Sequence, residues 1–297
     1  MLLLSAPGAL RAEPSAGGPP GALRDLALSV QRVELDNGLR VVLNPDRRSP
    51  SVAVAVVYQV GSRDESPGRT GFAHLFEHMM FQGSANVAKG EHFTWITARG
   101  GTLNGTTSTD RTNYFETLPA SELSLALFLE ADRMATLAVT QENLDNQRAV
   151  VKEEYRMRVS NQAYAEGSVR LRALAFEGHV PYAHDPIGSL EDLERASIDE
   201  VRAFHDAHYV PGRAVVAISG DFDVDRALAE VRDRFGGIPA GRPAPALVIP
   251  QVPAQTAPRR AEVTDTNART PAVLRGWVVP PRSEAEHRAL DMAVTVL

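Results

Sequence analysis

The chain of 297 residues contains no cysteine. Disulfides and thiolate metal sites are therefore excluded, and any bound metal must be held by His, Asp or Glu. Positive charge is not in excess: 31 Lys and Arg stand against 37 Asp and Glu, a net charge of −6. Lacking a strong basic field, the chain is a poor match for nucleic acid as its main partner. No apolar run is long enough to span a bilayer. The N-terminus also lacks something. Small residues lead to a potential cut after Ala12, as in a secretory signal, but no basic segment precedes them and the apolar run is short. The expectation is a clipped signal or a tail on an exported protein, bacterial periplasmic or secreted, with a cytoplasmic location as the alternative.

The chemistry lies in Thr70-Gly-Phe-Ala-His74-Leu-Phe-Glu77-His78-Met-Met-Phe81. The pattern predicts a helix over 70–81. Each helical residue advances about 100°. With His74 at zero, Glu77 falls near about 300° and His78 near about 40° on that step, so one face carries two imidazoles and a carboxylate. Two His four apart can converge on one metal, and the carboxylate beside them can take a proton from a water that the metal activates. The order His-x-x-Glu-His is the inverted zinc signature. A surface helix with scattered polar residues fits poorly, because Leu75, Phe76, Met79, Met80 and Phe81 make the helix mostly apolar. Burying two His and a Glu is costly unless they are paired or ligate a metal.

Around this stretch the chain alternates strand and helix. Residues 30–35 and 39–43 alternate apolar and polar about Asp36-Asn-Gly38, a hairpin signal. Residues 51–60 are Val-rich and read as a buried strand. A short helix is expected over 93–98. Two Thr- and aromatic-rich strands follow at 102–108 and 112–118, and a helix opened by Pro119 runs over 120–138. Thr140 is a fitting N-cap for a helix over 141–159. A helix over 166–177 precedes a rigid Gly- and Pro-containing loop over 178–188. Ser197 and Glu200 form a capping box for a helix ending near 208–209. Residues 214–219 read as a buried strand, and 223–235 as an amphipathic helix. Six prolines between 239 and 258 mark a linker. Residues 271–279 suggest a new strand, and a helix opens after Ser283. The expected organisation is a leader over 1–27, a catalytic domain over 28–238, a linker over 239–262 and the incomplete start of a second domain over 263–297.

On the helix over 141–159, Glu154 stands three and four residues after Val151 and Val150 and shares their side. Glu153 points about 100° away, toward solvent. Glu154 is therefore the better candidate for a third ligand from a second helix. His205 and His208, at i and i+3, read as a surface pair. His92, His179 and His184 read as structural or exposed.

Together these pieces resemble the inverzincin peptidases of the pitrilysin, insulin-degrading enzyme and mitochondrial processing peptidase group, most closely its bacterial two-domain members. His74-Leu-Phe-Glu77-His78 is similar to their first motif. Glu154 follows His78 by 76 positions (154 − 78), the separation expected of their distal glutamate. The run Asn104-Gly-Thr-Thr-Ser-Thr-Asp-Arg-Thr-Asn-Tyr114, with Tyr209-Val-Pro211-Gly and Ile218-Ser-Gly-Asp221-Phe222, is also similar. The resemblance implies an α+β fold with helices packed on a mixed, largely antiparallel sheet, plus the start of a second similar domain. It implies one Zn2+ per chain held by His74, His78 and Glu154, with Glu77 as general base. It places Asn104 on the substrate backbone and Gln147, where many members carry Glu, as outer support of the site. An Arg and Tyr that help polarise the scissile carbonyl would belong to the second domain, beyond Leu297, so the expectation is a chain that binds zinc but hydrolyses poorly alone.

Three functions follow from this reading. The first is a zinc endopeptidase acting on short or unfolded peptides. The second is a metal-binding half needing a partner chain, in a homo- or hetero-oligomer with a second family subunit. The third is a non-catalytic scaffold of the same fold, which the intact His-x-x-Glu-His disfavours.

Overall fold

The computed structural model describes residues 29–241 and 248–296; the expected leader and part of the Pro-rich linker lie outside them. Six strands form one mixed sheet: β1 (Gln31–Glu34), β2 (Arg40–Pro45), β3 (Ser51–Tyr58), β4 (Thr102–Thr107), β5 (Thr112–Pro119) and β6 (Ala214–Gly220). Their order is β1-β2-β6-β3-β5-β4. Only the β2–β6 pair is parallel, starting at Arg40↔Val215; the other four pairs are antiparallel. The α+β class with a mixed, largely antiparallel sheet is therefore as expected.

Ten helices accompany the sheet among the described residues. They are α1 (Phe72–Met79), α2 (Glu91–Ala98), α3 (Leu123–Thr136), α4 (Gln141–Tyr155), α5 (Ala165–Ala175), α6 (Val180–Ala183), α7 (Leu190–Arg195), α8 (Ile198–His208), α9 (Val224–Phe235) and α10 (Ala285–Val296). Strand alternation decides where they pack. In β3, Val52, Val54, Val56 and Tyr58 are buried while the residues between them are half-buried. In β5, Thr112, Tyr114, Glu116 and Leu118 are the inward set. One face of the sheet is thus covered by α1, α3 and their neighbours, in a single core running from Leu35 to Ile238.

The local signals explain most boundaries. Thr140 Oγ1 accepts from the Asn143 N–H and starts α4. Ser197 and Glu200 close the expected capping box at α8. Asn37 Nδ2 donates to the carbonyls of Phe235 and Ile238, tying the first hairpin to the end of α9.

Three expectations are corrected. The loop over 178–188 contains α6, because Pro181 sits in its first turn, where a missing N–H costs nothing. α7 was not anticipated; Ser189 caps it by accepting from the Asp192 N–H. Residues 271–279 form no strand, since they find no strand partner among the described residues. Instead this segment lies along α5, where the Leu274 and Leu171 side chains approach Gly167 and Gly276 respectively. Tyr164, at the start of α5, is held by Asp265 and Thr270: its N–H donates to Asp265 Oδ2 at 2.6 Å and its hydroxyl to the Thr270 carbonyl at 3.0 Å.

Candidate metal centre

α1 carries the motif and is fastened at its start and along its length. Its N-cap is Gly71, at φ 92°, a conformation that L side chains rarely adopt, and it offers no side-chain cap. A Cβ there would also meet the Ile187 carbonyl at 2.8 Å. The missing cap comes from Glu65, whose two oxygens accept from the N–H groups of Gly71 (2.9 Å) and Ala73 (2.8 Å). Asp192 Oδ2 accepts from both the N–H (3.0 Å) and the hydroxyl (2.6 Å) of Thr70. Deeper along the helix, the buried Tyr114 hydroxyl donates to the Phe76 carbonyl at 3.0 Å. Phe72, Leu75, Phe76 and Met79 anchor the helix in the core.

With the helix so placed, His74 and His78 turn toward α4. Their Nε2 atoms lie 3.6 and 3.1 Å from Glu154 Oε2. The rings meet edge to face, 4.9 Å between centroids. The three side chains are mostly shielded, with 9%, 22% and 13% of their surface exposed. The His74 ring and then the His78 ring, facing the inner oxygen, hold the Glu154 carboxyl far below its usual range. The other oxygen, Oε1, takes the Arg158 guanidinium at 2.8 Å. One ligand atom from each of His74, His78 and Glu154 lies within 4.8 Å of the others, close enough to hold a metal ion. Two imidazoles and one carboxylate are the donor set of a catalytic zinc site with an open position. The residues therefore fit the ion that the sequence implied. Among the described residues, the buried Nδ1 of His74 has no hydrogen-bond partner. That leaves open the outer contact that normally orients a metal-bound imidazole.

Glu77 is half-buried on the same helix, beside β4. A Cβ on Gly105 would come within 3.1 Å of Glu77 Cγ and 3.2 Å of the Tyr114 ring. Glycine at 105 thus lets the edge strand lie directly against the expected base. Asn104 is adjacent but differently placed. It pairs with Phe115, so the pleat turns it to the sheet face opposite Gly105 and Tyr114. Its Oδ1 accepts from the Gly105 N–H at 2.9 Å. Gln147 is buried on α4, and its Nε2 donates to Asn146 Oδ1 at 2.7 Å. Among the described residues, no hydrogen bond joins Gln147 or Asn104 to His74, His78 or Glu154. Val150 is 44% exposed, so Glu154 shares its inward side with Val151 and not with both valines.

A second His and Glu group lies nearby and is fully enclosed: His92, Glu116 and Glu130. The Arg133 guanidinium already sits in it. Its Nε and Nη2 bind the two oxygens of Glu130, and its carbon lies 4.4 Å from the Tyr114 ring centroid. Burial, and then the Glu130 charge, push the Glu116 carboxyl well above its usual range. Burial, aided by Arg133, pulls the His92 imidazole down to about 2. One ion pair and two neutral groups result, and no further cation is called for.

His92 and His179 are buried, the structural alternative of their reading, while the expected surface pair is less exposed than its sequence context suggests. His205 and His208 are half-buried: the His205 ring stacks on Tyr209 and His208 packs against Phe204. Glu65 escaped the sequence reading altogether. Glu65-Ser-Pro-Gly68 reads as loop, and only the absence of a capping side chain at Gly71 hinted that a carboxylate from elsewhere was needed.

The sequence and its fold are similar to known proteins. The family model described as Insulinase (Peptidase family M16) matches residues 40–177, and the one described as Peptidase M16 inactive domain matches residues 195–297. The chain belongs to peptidase family M16. Among M16 relatives, zinc protease PqqE of Helicobacter pylori is 31% identical over 264 residues, covering 88% of this chain and 59% of the relative. Uncharacterized zinc protease ML0855 of Mycobacterium leprae is 37% identical over 209 residues, covering 70% and 46%. A protease from Helicobacter pylori has a similar structure, with a TM-score of 0.70, 30% identity, and coverage of 76% of this chain and 53% of that one. The first half of the periplasmic protease PqqL from Escherichia coli superposes with a TM-score of 0.69 and 25% identity, covering 76% and 49%. The chain spans about half the length of the curated relatives it matches. The boundary between the two M16 matches does not follow the sheet. α8 and β6 fall in the second match, yet β6 lies between β2 and β3.

Proposed function

We propose that the chain is the zinc-bearing part of an endopeptidase that hydrolyses peptide bonds in short or unfolded peptides. The observation that carries this reading is the convergence of His74 Nε2, His78 Nε2 and Glu154 Oε2 from two helices. In this reading His74, His78 and Glu154 hold one Zn2+ per chain. A zinc ion there supplies a Lewis acid and lowers the pKa of its water to about 7. Glu77 takes the proton of the attacking water and returns it to the leaving amine. β4 ends the sheet, so the backbone groups of 102–107 on its outer side can pair with an extended peptide, with Asn104 part of that edge. Gln147 supports α4 from within, through Asn146, and not by touching the ligands.

The same reading takes residues 28–238 as the metal-bearing domain, 239–262 as the linker and 263–297 as the start of a second domain. The shared core from Leu35 to Ile238 supports the first of these. Export to the periplasm is proposed from the small residues before Glu13, and the periplasmic location of the Escherichia coli relative supports it. Among the described residues, no helix is long and apolar enough to cross a membrane.

A second reading rests on a separate observation. Val273, Trp277, Met292 and Val294 are 68–81% exposed. Apolar groups of this size usually face protein. The chain could therefore work as a metal-binding half joined to a partner subunit. A quenched-peptide assay with and without chelator, on the chain alone and on a form carrying a complete second domain, separates the two. Glu77→Gln should abolish turnover with zinc still bound. Chelator-insensitive cleavage, or none in the longer form, would overturn the peptidase reading.

A further inference from the structure

Glu65 belongs to no ligand set, yet its side chain is fully shielded and placed at the start of α1. Its Oε1 and Oε2 take two N–H groups of the first turn, at Ala73 and Gly71, and Oε2 also takes His184 Nε2 at 2.9 Å. The other ring nitrogen, His184 Nδ1, lies 3.1 Å from the Val180 carbonyl. A carbonyl oxygen only accepts, so Nδ1 must carry a proton. The 2.9 Å contact to the carboxylate needs a second proton, on Nε2 or on Glu65 itself. The pair as a whole is then neutral, which makes its burial tolerable. Removing one of the two protons forces the ring to give up either Val180 or Glu65. Burial opposes charge on the ring, but the Glu65 hydrogen bond and charge outweigh it and raise the His184 pKa. Burial raises the Glu65 carboxyl against the same His184 bond.

The other groups about His184 are fixed. Ser62 and Val180 present carbonyls to the ring, and Arg63 and Asp64 lie in the turn that leads to Glu65. Asp64 is held by Arg213 at 2.9 Å, and Arg63 and Tyr182 both bind Asp110 at 2.8 Å. These charges are paired with one another; the buried Tyr209 hydroxyl faces Glu65, His208 faces Asp64, and Asp192 holds Thr70, so the Glu65–His184 bridge is the contact at the start of α1 in which a carboxylate and an imidazole share protons.

We propose that Glu65, with His184 as its proton-sharing partner, is the positioning group of the metal-bearing helix: it fixes where His74 stands, so zinc retention depends on it although neither residue touches the ion. This rests on the zinc reading given above. It also ties the segment around α6, more than a hundred residues away in sequence, to the metal site.

The test uses the whole chain and two readouts. Zinc affinity is measured by competition with a chromophoric chelator between pH 6 and 9, for the wild type, Glu65→Gln and His184→Gln. Amide hydrogen exchange over α1 is measured on the same proteins without metal. Both variants should weaken zinc at least about tenfold near pH 6.5. The deficit of His184→Gln relative to the wild type should shrink as pH rises, because the wild type then loses the same proton. Amides of residues 73–76 should exchange about tenfold faster in both variants, with the rest of the sheet unchanged. Zinc affinity within twofold of wild type at every pH, with unchanged α1 exchange, would overturn the proposal. If the wild type binds no zinc, the zinc reading fails, and the exchange data alone decide whether Glu65 positions the helix. Global loss of protection in Glu65→Gln, with His184→Gln unchanged in α1, also counts against the proposal.

Discussion

Two groups of His and Glu side chains, one closed and one open, resolve the same electrostatic problem in opposite ways. In the closed group of His92, Glu116 and Glu130, the balancing cation is part of the chain. Arg133 is 2% exposed and grips both oxygens of Glu130. In the open group of His74, His78 and Glu154, the guanidinium that reaches the carboxylate comes from Arg158, which is 72% exposed and takes the outer oxygen. The inner oxygen faces two imidazole nitrogens. A cluster with its cation built in is part of the core. A cluster that brings one ligand atom from each of three residues within 4.8 Å of the others can hold a cation from outside.

The largest effect should come from breaking the closed group. Arg133→Met leaves the buried Glu130 charge uncompensated and should cost about 3–5 kcal/mol of stability, read from the urea midpoint. The same treatment of the open group should act on metal and not on folding. Glu154→Gln should lower zinc affinity by more than about 100-fold, beyond what loss of an outer contact does, with the metal-free urea midpoint nearly unchanged. An equally unstable Glu154→Gln would erase the distinction between the two groups. Gly105→Ala probes the contact of the edge strand with Glu77, beside the open group. Its Cβ would press on Glu77 Cγ, and turnover should fall roughly 10- to 100-fold with zinc retained. The smallest effect is a slope. His92 has its pKa pulled down to about 2, so the unfolded chain takes up a proton there that the folded one refuses. Its contribution is complete above the ordinary 6.5 and is lost as pH falls below it, by about 1.4 kcal/mol per pH unit. His92→Gln should flatten the stability curve between pH 6 and 4; a curve unchanged in slope would show that His92 takes up its proton in the folded state.

The open group was largely legible in the sequence because half of it is local. His74, Glu77 and His78 are set by helical spacing alone, and α1 forms where the pattern puts it. Glu154 required both its helical phase and the resemblance, since nothing local ties α4 to α1. The closed group was not legible. Glu130 and Arg133, at i and i+3, look like any solvated pair on a helix, and only the packing of α3 against β3 and β5 encloses them. Glu65 and His184, 119 positions apart, meet through tertiary structure that no spacing encodes. The segment over 271–279 has a strand's composition, but composition does not supply a hydrogen-bonding neighbour.

β6 has a consequence for how the site comes into being. It enters the sheet between β2 and β3, pairing Val215 with Arg40 across 175 positions. Pairings of such long separation form slowly, because the loop between them must close before any contact rewards it. During synthesis, α1 and α4 emerge well before the strand that joins β2 to β3. A fragment cut at residue 177, where the first family match stops, keeps all the proposed ligands but leaves those two strands unjoined. The ligands are encoded early and the frame that aligns them is closed late, so metal capture should follow the arrival of β6 and not precede it.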